Sequence, residues 1–453
     1  MAENHATFNV LMLPWLAHGH VSPYLELAMK LTARNFNVYL CSSPATLSSV
    51  RSKLTEKFSQ SIHLVELHLP KLPELPAEYH TTNGLPPHLM PTLKDAFDMA
   101  KPNFCNVLKS LKPDLLIYDL LQPWAPEAAS AFNIPAVVFI SSSATMTSFG
   151  LHFFKNPGTK YPYGNTIFYR DYESVFVENL KKRDRDTYRV VNCMERSSKI
   201  ILIKGFKEIE GKYFDYFSCL TGKKVVPVGP LVQDPVLDDE DCRIMQWLNK
   251  KEKGSTVFVS FGSEYFLSKE DMEEIAHGLE LSNVDFIWVV RFPKGENIVI
   301  EETLPKGFFE RVGERGLVVN GWAPQAKILT HPNVGGFVSH CGWNSVMESM
   351  KFGLPIVAMP MHLDQPINAR LIEEVGAGVE VLRDSKGKLH RERMAETINK
   401  VTKEASGEPA RKKARELQEK LELKGDEEID DVVKELVQLC ATKNKRNGLH
   451  CYN

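Results

Sequence analysis

The feature that most constrains the fold of this chain is a repeated alternation of short apolar runs with longer amphipathic stretches. The first instance runs from FNVLML at residues 8–13, through a helical pattern over residues 24–33, to NVYLCSS at residues 37–43. Buried strands of a parallel sheet read as continuous apolar runs, because helices cover both faces of the sheet. The pattern therefore predicts β-α-β units built around a parallel sheet.

The alternation occurs in two series, which predicts two doubly wound domains. Further strands of the first series are expected at 63–69, 114–121, 136–142 and 199–205. The second series has strands at 255–263, 286–292, 317–322, 335–342 and 355–360, with a helix over 269–281. A chain of 453 residues also exceeds what one hydrophobic core usually supports.

A change of composition separates the two series. The stretch QDPVLDDEDC combines prolines with an acidic run, so we place an interdomain linker at 233–243. The first domain is then 1–232 and the second is 244–435, which ends in a charged helical segment. The residues from 436 to 453 are expected to form a polar tail.

Charge and hydropathy exclude several classes of partner. A formal net charge of −2 gives no electrostatic reason to expect nucleic acid. No apolar run approaches the roughly 20 residues that a membrane-spanning helix needs, and the polar first residues lack the basic flank of a signal peptide. The eight cysteines are scattered without a CxxC pair. We expect a cytoplasmic monomer with reduced thiols and no membrane span.

The segment 322–365 contains a strand, a glycine-containing turn and a helix that begins near residues 343–345. The start of a helix presents free N–H groups and the positive end of its dipole, which favour an anion such as a diphosphate. His340, Asn344 and Ser345 add side-chain donors there. Glu348 can accept from a ribose diol, and the acceptors at 364–365 suit sugar hydroxyls. The residues alone suggest a nucleotide site.

The same segment resembles the signature of plant secondary-product glycosyltransferases, from its opening tryptophan to its closing glutamine. PWLAHGHVSPYLELA, LLIYDLLQPWA and VSFGSE are also similar to that family, so the resemblance covers nearly the whole chain. It implies the α/β GT-B fold, in which two Rossmann-like doubly wound domains face each other across a cleft. The first domain would bind the acceptor and the second the UDP-sugar.

The resemblance implies a role for each residue of the donor site. Uracil would stack on Trp322, its edge would meet Gln325 and the backbone of Ala323, and Glu348 would hold the ribose. The residues implied at the diphosphate are Ser263, His340, Asn344 and Ser345. Those implied at the glucose are Trp343, Asp364 and Gln365.

The resemblance also implies that His20 is the catalytic base and that Asp119 is its carboxylate partner. An alcohol is a poor nucleophile at neutral pH, so a base must remove its proton, and an ordered carboxylate fixes the tautomer of such a histidine. Direct displacement would invert the α-linked donor to a β-linked product. His18 and His20 lack a third metal ligand at suitable spacing. We therefore expect no metal and no cofactor, with UDP-glucose as co-substrate.

HTTNGLPPHLMPTL and MPMHLDQP resemble the branch of the family that adds a sugar to an existing glucoside. This implies β-1,6 glucosylation of a plant glucoside such as a crocetin glucosyl ester. Apolar residues near the base could line a groove for the aglycone, although any one of them is more often a core residue. They are Trp124, Met146, Phe149, Phe153 and Phe154.

Other functions remain open at this point. The enzyme could instead glucosylate a flavonoid or terpenoid aglycone, or the chain could be a non-catalytic nucleotide-sugar-binding protein. A nicotinamide oxidoreductase is disfavoured because neither domain opens with a G-x-G-x-x-G turn. A glycoside hydrolase is disfavoured because the sequence singles out no pair of catalytic carboxylates.

Overall fold

The structure, a computed structural model, describes residues 7–51, 54, 56–173, 175, 178, 184–235, 243–263, 265–292 and 299–449, with the backbone alone at 56, 57 and 442–449. Contacts divide the chain into two compact units. The first unit comprises Met1–Pro157, Lys182–Leu231 and Asp426–Asn453. The second comprises Gly158–Lys181 and Val232–Gly425.

The first unit is built on a seven-stranded sheet with the order β3-β2-β1-β4-β5-β6-β7. Every strand pair in it is parallel. Every residue of β4, β5 and β6 is buried, which explains why these strands are apolar throughout. The strands are β1 Phe8–Leu13, β2 Phe36–Ser42, β3 Ile62–Glu66, β4 Leu115–Tyr118, β5 Ala136–Ile140, β6 Ile200–Ile203 and β7 Lys224–Pro227.

Helices connect these strands and pack on the sheet, as the β-α-β pattern predicted. Their bounds are His18–Thr32, Pro44–Arg51, Glu56–Ser59, Met90–Met99, Lys101–Leu111, Trp124–Ser130, Ala144–Lys155, Arg185–Arg196, Lys207–Thr221 and, after the chain has passed through the second unit, Glu427–Leu449.

The helix Glu427–Leu449 differs from the expectation of a polar tail from residue 436. Its apolar side chains join the same core cluster as β1, and Leu436 in particular is fully buried. Lys30 Nζ lies 2.7 Å from Asp426 Oδ1, and Arg34 Nε lies 2.7 Å from Asp430 Oδ1, so ion pairs also hold this end of the chain. The last residues are polar, but the apolar spacing before them is that of an amphipathic helix. The buried apolar residues are Ile429, Val432, Leu436, Leu439 and Cys440.

The second unit is built on a six-stranded sheet with the order β10-β9-β8-β11-β12-β13, and it too is parallel throughout. The prediction of two Rossmann-like domains is therefore confirmed. The strands are β8 Thr256–Ser260, β9 Asp285–Val290, β10 Gly316–Asn320, β11 Val334–Ser339, β12 Ile356–Ala358 and β13 Gly378–Glu380.

The helices of the second unit alternate with its strands. Their bounds are Arg243–Leu248, Lys269–Ser282, Ile300–Thr303, Phe308–Val312, Gln325–Leu329, Trp343–Lys351, Gln365–Val375, Arg391–Thr402 and Glu408–Lys424. The predicted helix 269–281 and the predicted helix start near residue 343 correspond to members of this set.

The start of the predicted linker belongs to the second unit. Lys351 Nζ donates to the carbonyl of Val232 at 2.9 Å and pairs with Asp234 Oδ1 at 2.6 Å. Residues 236–242 of the predicted linker lie outside the described residues. In the part of the chain that the structure describes, no helix is both long enough and apolar enough to cross a membrane.

Leu436→Ala should lower the free energy of unfolding by about 2–5 kcal/mol, because it leaves a cavity in the core of the first unit. Urea denaturation followed by fluorescence measures this change. The matched control is Leu423→Ala, at a leucine that is 89% exposed, which should change stability by less than about 0.5 kcal/mol. Equal effects of the two substitutions would show that the last helix does not contribute to the core.

Candidate functional site

The pairing of β1 with β4 brings His20 and Asp119 together. The two strands are parallel, with Leu13 opposite Tyr118 at their carboxyl ends. Asp119 directly follows β4, and His20 lies in the first turn of the helix that follows β1. As a result, His20 Nδ1 lies 2.9 Å from Asp119 Oδ2. The two residues proposed from separate motifs therefore form one hydrogen-bonded pair.

The environment of Asp119 fixes the orientation of this pair. The carboxylate is fully buried, and it also accepts from the backbone N–H groups of Trp15 at 3.1 Å and Leu120 at 2.7 Å. These bonds compensate for burying a charge. Because a carboxylate accepts, the hydrogen-bond network assigns the proton of His20 to Nδ1. The imidazole therefore keeps its lone pair on Nε2.

Ser141 is a third member of this group that sequence reasoning missed. Its Oγ lies 3.1 Å from His20 Nδ1. Ser141 directly follows β5, which pairs with β4, so it reaches the same edge of the sheet as Asp119. Its position as the first polar residue after a buried apolar strand is the signal that could have identified it.

Trp124 has a packing role in the structure. Its indole N–H donates to Asp98 Oδ1 at 3.0 Å, and its ring makes edge contacts with Phe97 and Phe104, with centroids 5.7 Å and 5.4 Å apart. Only 7% of the residue is exposed. The assignment of Trp124 to the acceptor stays a prediction, as does that of Phe149, which is 4% exposed.

The other acceptor candidates lie along the helix Ala144–Lys155, which starts three residues after Ser141. Met146, in the first turn, and Phe149 are nearest to the edge that carries His20. Phe153 and Phe154 follow Met146 by seven and eight residues, or roughly 10–12 Å along the helix axis. Phe149 and Phe153 are also in ring contact at 4.9 Å. Met146 and Phe149 are thus the better placed members of the predicted set.

The donor-site candidates all follow strands of the second sheet. Ser263 follows β8, Trp322 follows β10, the segment 340–345 follows β11, and Asp364 comes after β12. These strands are parallel, so their carboxyl ends lie at one edge of the sheet, where ligands bind in open α/β sheets. Ala323 and Trp343 are buried there, and Ser263 and Asn344 are half-buried.

The imidazole ring of His340 packs against the backbone of two glycines, Gly262 and Gly342, and a side chain at either position would clash with it. A Cβ atom on Gly262 or on Gly342 would lie 2.6 Å from His340 Nε2. Gly262 also has a φ of +81°, which disfavours any other residue. Burial lowers the pKa of His340 to about 3, and the charge of nearby His362 acts in the same direction. The imidazole is therefore neutral at physiological pH.

The residues assigned to uracil and ribose follow β10 and β11, and some of them bond to each other. Trp322 is 62% exposed, and the Arg291 guanidinium carbon lies 5.0 Å from its ring centroid. Gln325 Nε2 donates to the carboxylate of Glu348 and to Ser345 Oγ, the latter at 3.4 Å. Sequence reasoning missed Arg291, whose place directly after β9 was the available signal. An exposed aromatic ring supported by an arginine is suited to stacking on a base.

The residues assigned to the sugar are held by their own unit. Asn368 Nδ2 donates to Asp364 Oδ2 at 2.9 Å and to the carbonyl of Cys341 at 3.0 Å, so one amide joins the loops after β11 and β12. Gln365 Oε1 accepts from the backbone N–H groups of residues 361 and 362, each at 3.0 Å. The oxygen of Gln365 is thus engaged internally, which leaves its amide nitrogen as the group that can donate to a hydroxyl. Within the described ranges, no group of three or more His, Cys, Asp or Glu side chains could hold a metal ion.

Comparison with known proteins identifies relatives over nearly the whole chain. The family model for UDP-glucoronosyl and UDP-glucosyl transferase matches residues 232–406, and that for the N-terminal domain of glycosyltransferases matches residues 6–233. UDP-glucosyltransferase 29 of Panax ginseng is 55% identical, over 98% of this chain and 99% of its own. Beta-D-glucosyl crocetin beta-1,6-glucosyltransferase of Gardenia jasminoides is 52% identical, over 94% of this chain and 98% of its own.

A solved structure confirms the fold. The crystal structure of Glycyrrhiza uralensis UGT73P12, complexed with glycyrrhetinic acid 3-O-monoglucuronide, superposes with a TM-score of 0.86. The match covers 98% of this chain and 99% of the other, at 24% sequence identity.

The lowered pKa of His340 predicts a loss of stability in acid. The unfolded chain takes up a proton near pH 6.5, whereas the folded protein does so only near pH 3, so the free energy of unfolding falls as the pH drops through this range. In the unmodified protein the free energy of unfolding is lower at pH 5 than at pH 7.5, and His340→Asn should make this difference smaller by about 1–2 kcal/mol. Denaturant unfolding at pH 7.5 and pH 5 measures the difference for each protein.

The control for this experiment is His68→Asn, because the side chain of His68 is 70% exposed. It should leave the pH dependence of stability as it is in the unmodified protein. The assignment of a buried neutral imidazole fails if His340→Asn and His68→Asn change the acid sensitivity equally.

Proposed function

The chain belongs to the plant family 1 UDP-glycosyltransferases, and we propose that it transfers glucose from UDP-glucose to a hydroxyl of a glucose already carried by a small-molecule glucoside. The observation that carries the proposal is the hydrogen bond between His20 and Asp119. A protein that only bound nucleotide sugars would have no use for a histidine whose tautomer is fixed by a buried carboxylate. A hydroxyl acceptor, by contrast, needs such a base.

His20 is the proposed general base. Its Nε2 takes the proton of the acceptor hydroxyl while that oxygen forms a bond to the anomeric carbon of glucose. The bond between this carbon and the diphosphate oxygen breaks, and its electron pair leaves with UDP. Asp119 stabilises the imidazolium that results. Attack from the face opposite the leaving group gives a β-linked product from an α-linked donor.

The second unit supplies groups that can stabilise the departing UDP. We propose that the first N–H groups of the helix Trp343–Lys351 bind the diphosphate, together with Asn344 and Ser345 in its first turn. His340, as a neutral imidazole, can donate one hydrogen bond without adding a full charge. The reaction as proposed uses no metal ion and no cofactor other than the UDP-glucose co-substrate.

The uracil, ribose and glucose of the donor are assigned to side chains of the second unit. We propose that Trp322 stacks on the uracil, whose edge meets Gln325 and the backbone of Ala323, and that Glu348 binds the ribose. Trp343, Asp364 and Gln365 would hold the glucose, and Ser263 would lie near the phosphates. An epimer of glucose would leave the half-buried carboxylate of Asp364 without one of its hydroxyl partners, which is costly. We therefore expect UDP-glucose to be preferred over its epimers.

The proposed acceptor is a glucoside, and the proposed new linkage is β-1,6. The Gardenia jasminoides relative, 52% identical to this chain, is named for that reaction on glucosyl crocetin, which supports the assignment. The primary 6-hydroxyl is also the least hindered hydroxyl of a glucosyl group. Met146 and Phe149 are the side chains proposed to contact the aglycone.

His20→Ala should lower kcat by about 10²- to 10⁴-fold, because the acceptor hydroxyl loses its base. The affinity for UDP should stay within about twofold, since all proposed nucleotide contacts are made by the second unit. Steady-state rates with UDP-glucose and calorimetric titration with UDP measure the two quantities.

The matched control is His18→Ala, two residues away in the same first turn. It should retain turnover within about threefold, since His18 has no proposed role in the reaction. The assignment of His20 would be wrong if His18→Ala lost turnover and His20→Ala kept it, or if His20→Ala chiefly weakened the binding of UDP.

Crocetin and its glucosyl esters, offered side by side with UDP-glucose, test the acceptor. We expect kcat/KM for the glucosyl esters to exceed that for free crocetin by at least about tenfold, because the hydroxyl that reacts belongs to the sugar. NMR of the product should show the new bond at the 6-hydroxyl. A faster reaction of free crocetin, or a bond to a secondary hydroxyl, would contradict the proposed specificity.

A further inference from the structure

A segment from the first half of the sequence packs inside the second unit, next to the residues proposed to hold glucose. Residues 158–181 belong to that unit, although the strands before and after them belong to the first. Within them, Arg170 and Glu173 meet Arg370 of the helix Gln365–Val375 and Glu380 of β13. Glu173, Arg370 and Glu380 are 4%, 2% and 3% exposed.

These four side chains form a chain of ion pairs in the order Glu173, Arg370, Glu380 and Arg170. Arg370 Nη2 donates to both carboxylate oxygens of Glu173, at 2.9 Å and 2.8 Å. Arg370 Nη1 and Arg170 Nη2 each lie 2.8 Å from Glu380 Oε2. Two arginines and two glutamates balance in charge, so each buried ion is compensated. Removing Glu173 would leave the two arginines of this network with one carboxylate, Glu380, to balance them.

The same segment holds the backbone on both sides of Asp364 and Gln365. The Tyr169 hydroxyl donates to the carbonyl of Leu363 at 3.4 Å. On the other side, Arg370 Nη1 donates to the carbonyl of Pro366 at 3.2 Å, and Arg370 itself is held by Glu173. Leu363 has a φ of +57°, a conformation that costs energy and persists only where neighbouring contacts enforce it.

We propose that the 168–173 segment is a positioning element for the donor sugar, acting through Tyr169 on residue 363 and through Glu173 and Arg370 on residue 366. This inference rests on the proposed function, because it takes Asp364 and Gln365 as the groups that hold glucose. Neither Tyr169 nor Glu173 touches the sugar in this proposal. They fix the backbone from which the two sugar-binding side chains project.

The proposal separates recognition of the sugar from recognition of the nucleotide. The groups proposed for uracil and ribose lie on other elements, the helices Gln325–Leu329 and Trp343–Lys351. A shift of the backbone at 363–366 should therefore weaken the hold on glucose and leave UDP binding largely intact. A displacement of about 1 Å at a positioned group can cost about 100-fold in rate.

The test uses Tyr169→Phe and Glu173→Gln in the full chain. Tyr169→Phe removes one hydroxyl and keeps the ring, so it should fold even if Glu173→Gln does not. For each variant, calorimetry gives Kd for UDP and for UDP-glucose, and initial rates give kcat/KM with UDP-glucose and with UDP-galactose. We expect Kd for UDP to change by less than about twofold, while kcat/KM with UDP-glucose falls about 10- to 100-fold and the preference over UDP-galactose shrinks.

The control is Glu274→Gln, which breaks the ion pair of Glu274 with Arg391 elsewhere in the same unit. It should lower stability without changing the ratio of the two Kd values or the donor preference. If Tyr169→Phe and Glu173→Gln behave like Glu274→Gln, or weaken UDP and UDP-glucose equally, the segment does not position the sugar. If the unmodified protein transfers no glucose to any acceptor, the proposed function fails instead. The ratio of the Kd values for UDP and UDP-glucose in each variant still shows whether the 168–173 segment positions the sugar.

Discussion

The parallel pairing of β1 with β4 is the constraint on which the proposed chemistry depends. Their register places Leu13 opposite Tyr118, so the residues that follow the two strands emerge together at one edge of the sheet. The proposed catalytic pair, His20 and Asp119, is 99 residues apart in sequence, and no local preference could bring it together. A shift of register would move Asp119 along the edge by roughly 3.3 Å per residue and break its bond to His20. The buried apolar residues of both strands are what prevent such a shift.

Much of this architecture could be predicted from the sequence, for a physical reason. Strands buried on both faces must be apolar at nearly every position, and this makes them visible without any structure. The runs at 8–13 and 136–142 are examples, and both contain strands. The strand predicted at 114–121 contains Asp119, whereas β4 ends at Tyr118, so the place of Asp119 at a strand end came from the family resemblance. Which end-of-strand residues then touch each other depends on strand order, which the sequence alone does not specify. Ser141 was overlooked for that reason.

Other features could not be predicted because they depend on contacts between distant parts of the chain. Nothing about the polar, aromatic stretch from 158 to 173 indicates that it packs with β13, since its charged residues look like those of a solvated loop. Only the structure shows that Glu173 is buried and that Arg170, which is half-buried, pairs with Glu380. The packing of Trp124 is a second example, because its bond to Asp98 and its contacts with Phe97 and Phe104 were not visible in the sequence.

The last helix, Glu427–Leu449, has a consequence for the order in which the protein can fold. Its side chains complete the core of the first unit, yet they are synthesised after the entire second unit. While the second unit leaves the ribosome, the apolar surface that Val432 and Leu436 will cover must stay exposed or be shielded by a chaperone. The second unit, which is nearly continuous in sequence, can close its own sheet earlier. The first unit is therefore the last to be completed, and a nascent chain released early would carry a finished second unit and an incomplete first unit.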